Sequence, residues 1–519
     1  MANLVVCCDG TWNTPTQEEN GIPSATNVFK FYSSVAEDSL HKTYYRPGVG
    51  TTGSLWDRAK GGGFGVGLDD DIKSAYYWLC ETYRPADFQP GSAADDIFLI
   101  GFSRGAFAVR SLAGVIGKCG LLSFHTLTLD EEEKWRRVDK AYEAYRKLPV
   151  GEKWQTEFDR SETVRIKFLG VWDTVGALGI PDEFLINFLD DGKEFAFHDT
   201  ELGKHIDIAR HAVALDERRR SFAPTLWTVP DPDGGGQKVA GVERAVAGQD
   251  VEQRWFAGVH GDVGGSYANR DLGDLTLKWM VSEAGKAGLE FKPSATSQIV
   301  GSAQGPLHNS VKGFIFANLK TRPRGVPRLD PADPFVDSSV TDRRESPPIT
   351  QPEYWPTKSL ATPGDALSMD IFARPQWNYT GIYLEEGVEY RFSASGEWLD
   401  KNIRCTPDGA PEGFHFGYAL VKPLDWYQRR RRQKTGNPSA AIPFARREQD
   451  MPWFCLVGVI ANGTGVHQET RELCPHDVFR IGSSATRTPT KGGYLYCFAN
   501  DIWYRYGNNK GKVRLTIKR

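Results

Sequence analysis

"LIGFSRGAFAVRSLAG", residues 99–114, sets a serine between two glycines, straight after an apolar run and straight before good helix formers. Ile97–Ile100 reads as a short buried strand, and Ala106–Leu112 as helix. Between them, Gly101-Phe102-Ser103-Arg104-Gly105 fits G-x-S-x-G, a strained strand-to-helix turn that lifts a serine hydroxyl to the top of a sheet. The helix N-terminus then points at any oxyanion that forms there. Five-residue matches of this kind also arise by chance, and a glycine-serine turn can be a plain connection. The rest of the chain has to decide.

Outward from that turn, strand and helix patterns alternate. "LVVCCD" (4–9), "KTYYRPGVGT" (42–51), "DIFLIGF" (96–102), "VRIKFLGVWDTVG" (164–176) and "RWFAGVHGDVGG" (254–265) read as strands, the last two ending in polar turns. "GVGLDDDIKSAYYWLCETYRP" (65–85) and "LGDLTLKWMVSEAGKAG" (272–288) have helical spacing. This alternation predicts an α/β domain over 1–319, with a doubly wound, mostly parallel sheet. The segments 120–162 and 177–250 are too long for simple connections and are expected to form a lid over the site. Phe184, Phe188 and Phe195 are candidates for acyl-chain contacts there, with lid-to-core packing as the other reading.

Residues 320–364 are rich in Pro, Asp and Arg and read as a partly extended linker. Beyond it, "GIYLEEGVEYRFSASGEW", "PWFCLVGVIANG" and "GGYLYCFANDIWYRYGNNKGKVRLTIKR" alternate and are broken by Gly/Asn turns. They predict an all-β sandwich over 365–519. Arg429–Arg432 is an unbroken basic run, either a solvated loop or a contact for phosphate or anionic headgroups.

The chain has 519 residues, room for two or three domains, and a formal net charge of −3, so nothing global points to nucleic acid. The part after about residue 360 is basic and the remainder acidic. Its eight cysteines form no CxxC pair, which suits a reducing compartment; pairing among the C-terminal four is left open. The N-terminus has no basic n-region, and no apolar run approaches a membrane span. The expectation is a protein cytoplasmic in its producer, secreted, if at all, by a signal-independent route.

In an open α/β sheet, functional residues gather beyond the carboxyl ends of the strands. Ser103, Asp173 and His260 each follow one, in the order Ser, Asp, His. A serine needs a base to remove its proton, and the imidazole needs a carboxylate to hold its tautomer. His211 and Asp216, in the helical-looking "ARHAVALDERRR", are weaker competitors, and Asp262 reads as a turn-shaping residue. The oxyanion donors expected are the backbone N–H of Arg104 and one from Gly10 or Thr11, with Asp9 bracing that loop.

Together, "VVCCDGTWN", "GVGT", "GFSRGAFAVRSLAG", "FLGVWDTVG", "HAVALDERRRSFAPTLW" and "WFAGVHGDVGGSY" resemble the α/β-hydrolase family that includes type VI secretion phospholipase effectors. The resemblance runs from about residue 3 to 290. It implies a Ser103-Asp173-His260 triad, hydrolysis of membrane glycerophospholipids, a secretion-system partner and an immunity protein. "NDIWYRYGNNKGKVRLTI" (500–517) resembles the PA-I galactophilic lectin family, a jelly-roll that binds galactosides through calcium. That resemblance implies Ca²⁺ ligation by Asp501, Asn508, Asn509, the Arg505 carbonyl and Asp400. A plain hairpin turn is the other reading of "YGNNKG". Trp503, Tyr504 and Tyr506 are candidates to stack on a sugar. Two alternatives stand beside the phospholipase: a cytoplasmic esterase on other substrates, and a carbohydrate-binding protein without turnover.

Overall fold

The computed structural model describes residues 1–10, 13–48, 63–125, 128–149, 151–175, 202–230, 237–239, 248–311, 320–411, 446–464 and 473–519. Thr11, the three lid phenylalanines and the Arg429–Arg432 run lie outside these residues. The chain divides into two compact units. One comprises Met1–Ser310 and Pro334–Pro352, the other Val311–Asp333 and Glu353–Arg519.

The first unit is built on six strands: β1 (Asn3–Cys8), β2 (His41–Arg46), β3 (Asp96–Phe102), β4 (Ile166–Trp172), β5 (Ile206–Ala214) and β6 (Asp250–Phe256). Their order is β2-β1-β3-β4-β5-β6, and every pairing is parallel. The chain leaves β1 to one side for β2 and to the other for β3. The crevice of this sheet therefore opens at the carboxyl ends of β1 and β3. Helices α1 (Asn27–Ser34), α2 (Gly63–Thr82), α3 (Arg104–Cys119), α4 (Glu131–Lys147) and α5 (Asp271–Lys286) complete the layers. One apolar cluster joins α2, α3 and α4 to the sheet; a second, with Phe31, Phe98, Trp172 and Met280, joins α1 and α5 to it. Covered on both faces, the inner strands β1, β3 and β4 are apolar and buried along most of their length rather than alternating.

β5 corrects the sequence reading in two ways. It is an interior strand within 177–250, a span expected to be lid, and "ARHAVALDERRR" begins as strand rather than helix. Ala, Arg and Leu are good helix formers, but seven successive parallel bridges to β6 decide the outcome. The segment 120–162 is also not placed as a lid. Its helix α4 buries Val138, Ala141 and Tyr145; the Tyr145 ring packs at Gly114, and Cys119 donates to the Ala141 carbonyl. These contacts lie in the far half of α3, a helix about 24 Å long that begins beside Ser103.

Residues 320–364 do not stand apart as a linker but are shared between the units. Within the first unit they form helix α6 (Ser338–Glu345), whose buried Arg343 donates to the carbonyls of Ala303 and Gly305. Among the described residues, the second unit holds two sheets whose strands pair antiparallel. Strands β7 (Ala366–Phe372), β9 (Tyr390–Ser395), β10 (Trp398–Asp400), β11 (Ile403–Cys405), β14 (Ser484–Arg487) and β16 (Asn509–Lys518) form one; β8 (Asn378–Leu384), β12 (Leu456–Ala461), β13 (Asp477–Arg480) and β15 (Gly493–Ala499) form the other. Ile371, Phe392, Val513 and Leu515 from the first meet Ile382, Leu456 and Leu495 from the second in one core. All eight cysteines are free thiols.

Candidate active site

The turn after β3 is as tight as its glycines require. Ser103 has φ 57° and ψ −119°, a strained backbone for a residue with a Cβ. A Cβ on Gly105 would lie 2.0 Å from the Cys8 carbonyl oxygen, so α3 can approach β1 only with glycine there.

Asp173 follows β4, and its backbone N–H donates to the Ala212 carbonyl. It is fully buried. Its Oδ1 accepts the Ala214 N–H at 3.0 Å, and its Oδ2 lies 2.6 Å from His260 Nδ1. His260 opens the single helical turn His260–Val263 after β6, and its Nε2 lies 2.9 Å from Ser103 Oγ. With the ring proton on Nδ1, Asp173 accepts it and Nε2 is left to accept from the serine hydroxyl. Burial lowers the imidazole's affinity for a proton, and the Asp173 carboxylate opposes that. The ring lies beside Phe102 and Phe222, with centroids 4.6 and 4.9 Å away. Gly264 is what admits Phe102, for a Cβ there would meet that ring at 2.1 Å.

The competing residues are engaged elsewhere. His211 Nε2 accepts the Thr174 N–H, and its Nδ1 faces Gln253 Oε1. Asp216 accepts the Gly258 N–H, and Asp262 accepts from Val259 N and contacts His308 Nδ1 at 2.5 Å. Gly10 sits against the serine: a Cβ built on it would be 3.1 Å from Ser103 Cβ. Its N–H, however, donates to Asp9 Oδ1 at 2.7 Å. Asp9 also accepts from Thr26 and Tyr45, and burial pushes its carboxyl up to about 6 against those bonds. Arg104 is the first residue of α3, which puts its N–H at the helix N-terminus beside Ser103.

Sequence reasoning passed over Glu217. Its carboxylate is buried next to His260 and accepts that residue's backbone N–H at 3.3 Å. Only the meeting of β5 and β6 shows this, because the two residues are 43 apart in the chain.

Residues 2–283 match the family described as "T6SS, Phospholipase effector Tle1-like, catalytic domain". The chain belongs to this family. As a Tle1-like chain it also resembles Uncharacterized protein YEL023C of Saccharomyces cerevisiae, at 25% identity over 56% of this chain and 58% of that protein. It thus spans little more than half the length of that curated relative. A crystal structure of an uncharacterized protein from Pseudomonas aeruginosa overlaps 58% of this chain and 49% of its own, at 18% identity and TM-score 0.35. The Tle1 effector bound to the VgrG spike overlaps 52% and 51%, at 16% identity and TM-score 0.29. The N-terminal domain of EclA, a PllA-like lectin, overlaps 29% of this chain and 94% of its own, at 16% identity and TM-score 0.18. Among the described residues, no helix is long and apolar enough to cross a membrane.

In the second unit, Asp501 is buried, with Oδ1 accepting the Ile502 N–H and Oδ2 without a hydrogen-bond partner. Asn509 Oδ1 is likewise buried and unpartnered. Asn508 Nδ2 donates to Asp400 Oδ1 at 2.9 Å, and the Arg505 carbonyl accepts the Asn508 N–H at 3.3 Å. Burial first, and the Asp400 charge second, raise the Asp501 carboxyl to about 6. Tyr506 is not placed to stack on a sugar: it is buried, and its hydroxyl bonds the Ala499 carbonyl and Arg447. Trp503 is half-buried against Trp377 and Arg447, while Tyr504 is exposed.

Proposed function

We propose that this chain is a serine hydrolase of membrane glycerophospholipids, delivered as an effector by a type VI secretion system. Family membership supports the lipid substrate and the delivery, with a secretion-system component and an immunity protein as the partners to expect. The observation that carries the chemistry is the unbroken relay from Ser103 Oγ through His260 to Asp173, at 2.9 and 2.6 Å. Ser103 Oγ attacks an acyl carbonyl while His260 Nε2 takes its proton. Asp173 stabilises the imidazolium, and the backbone N–H of Arg104 meets the oxyanion, with the second donor coming from the Gly10–Thr11 loop, where the Gly10 N–H must first leave Asp9 Oδ1 to serve. His260 then passes the proton to the departing lysophospholipid oxygen. Water, deprotonated by the same histidine, releases the fatty acid from Ser103.

For the second unit we propose recognition of a glycan or membrane surface, assisted by one Ca²⁺. Buried oxygens without partners on Asp501 and Asn509 suit a hard cation, with Asp400, Asn508 and the Arg505 carbonyl beside them. Tyr504 is the exposed aromatic next to that loop.

Thin-layer analysis of phospholipid vesicles incubated with the full chain tests the enzyme. Release of lysophospholipid and fatty acid by the wild type, and none by Ser103→Ala, is the expected result. Equal release by both, or release of headgroup without fatty acid, overturns it.

A further inference from the structure

A catalytic histidine needs more than a partner for each ring nitrogen, since it must keep its geometry while its charge changes. Three other elements face His260: Phe102 at the end of β3, Asp173 after β4, and the stretch Glu217–Phe222 after β5; in its own turn Asp262 is tied to Val259 and His308, and Ser310 stands behind Glu217. Of the charged groups there, Asp173, Glu217 and Arg219 act on the ring.

Glu217 is unusually fully used. Oε1 accepts from the backbone N–H groups of Arg218 and Arg219, from Arg219 Nε and from the Ser310 hydroxyl, at 2.8–3.0 Å. Oε2 accepts from Arg219 Nη2 at 2.8 Å and from the His260 backbone at 3.3 Å. The paired guanidinium lies over the Phe222 ring, 3.4 Å from its centroid, and that ring meets His260 edge-on. This ion pair, with Glu217 buried and Arg219 partly buried, thus grips the histidine's backbone directly and its ring through Phe222.

We propose that Glu217 and Arg219 are positioning residues that hold His260 between Asp173 and Ser103. The inference rests on the serine-hydrolase reading above. Because the two charges are opposite and lie near the imidazole, they also act on it with opposite sign. Glu217 favours the imidazolium and Arg219 disfavours it.

The test uses the full chain and a fluorophosphonate probe, which Ser103 attacks at phosphorus with loss of fluoride while its proton passes to His260. The rate of labelling is followed against pH for the wild type, Ser103→Ala, Glu217→Gln, Arg219→Met and Arg219→Lys. Glu217→Gln and Arg219→Met should each slow labelling by about 10- to 100-fold, the scale of a small misplacement. The acid limb, where neutral His260 appears, should move to lower pH in Glu217→Gln and to higher pH in Arg219→Met. Arg219→Lys keeps the charge and should return that limb to its wild-type position.

Limbs that stay put, or that move the same way in both variants, overturn the positioning role while leaving the hydrolase reading intact. A wild-type chain that is not labelled, or a Ser103→Ala chain that is, overturns the hydrolase reading itself and this inference with it. If Glu217→Gln does not fold, the Arg219 pair decides alone, since only a charge effect is restored by lysine.

Discussion

Asp173 and Asp501 are both buried carboxylates next to a strand end, yet only Asp173 has both oxygens partnered. Its Oδ1 takes the Ala214 N–H and its Oδ2 takes His260. Asp501 takes the Ile502 N–H on Oδ1 and leaves Oδ2 without a partner in the interior. Leaving a buried polar atom unpaired costs about 1–3 kcal/mol, more if it is charged. In the first unit the chain closes its own network, and the carboxylate is free to serve a neighbouring imidazole. In the second, Asn509 and Arg447 favour the charged form of Asp501 without satisfying Oδ2, and a donor or a positive charge from outside would complete the set. A site that closes its own network can act on a transient guest; the open oxygen of Asp501 is where the ion proposed above would sit.

That contrast is open to attack at its strongest point first. Asp173→Asn keeps the shape and an acceptor for Ala214, but it turns an amide N–H toward His260 Nδ1. The ring must then adopt the other tautomer and present N–H to Ser103. Ester turnover should fall by about 10⁴-fold, with the far-ultraviolet spectrum unchanged. Near-normal turnover would move the carboxylate's role elsewhere and end the claim of a self-closed relay. A smaller effect, on stability rather than chemistry, is expected from Gly105→Ala. The new methyl meets the Cys8 carbonyl at 2.0 Å, so β1 or α3 must shift. Overpacking of this kind should cost about 3 kcal/mol, read as a lower urea midpoint. An unchanged midpoint would mean that the elbow is looser than its geometry suggests.

Much of this is legible in the sequence, and the reasons are local. The order apolar strand, G-x-S-x-G, helix formers marks residues 96–119 because turn chemistry and periodicity agree there. Polar residues after "FLGVW" and "RWFAGV" stand out because buried parallel strands are otherwise apolar. β5 was not legible. Both of its faces are covered, so "IDIARHAVA" shows no alternation, and its Ala and Arg imitate a helix. Glu217 was hidden for a different reason. An acidic residue followed by three arginines looks like a solvated run, and only the parallel pairing of β5 with β6 brings it under His260. Tyr506 misled through sequence proximity, since a residue beside a loop of ligand-like oxygens can still be the one that fills the core.

The weakest expected effect concerns Asp501, and it tests the unfinished side of the comparison. Its carboxyl is raised to about 6, by burial first and by Asp400 second, against the opposing pull of Ile502 N–H, Asn509 and Arg447. An unfolded aspartate titrates near 3.9. Between those values the folded chain holds the extra proton, so stability from this group falls as pH rises from about 4 to about 6 and is level above. A cation requires the ionised form and should therefore bind above about 6 and be expelled below. In the full chain at pH 7.5, calcium at about 100 times its dissociation constant should add about 2.7 kcal/mol, raising one melting transition by roughly 5 °C or more. At pH 5 the gain should vanish, and in Asp501→Asn it should be absent at both. The difference between wild type and Asp501→Asn isolates this group from every other carboxylate that titrates over the same range. A gain that survives at pH 5, or in the asparagine variant, places the ion elsewhere. No gain at any pH makes the 500–509 loop a hairpin whose buried oxygens are satisfied without an ion, and the contrast with Asp173 then reduces to one of packing.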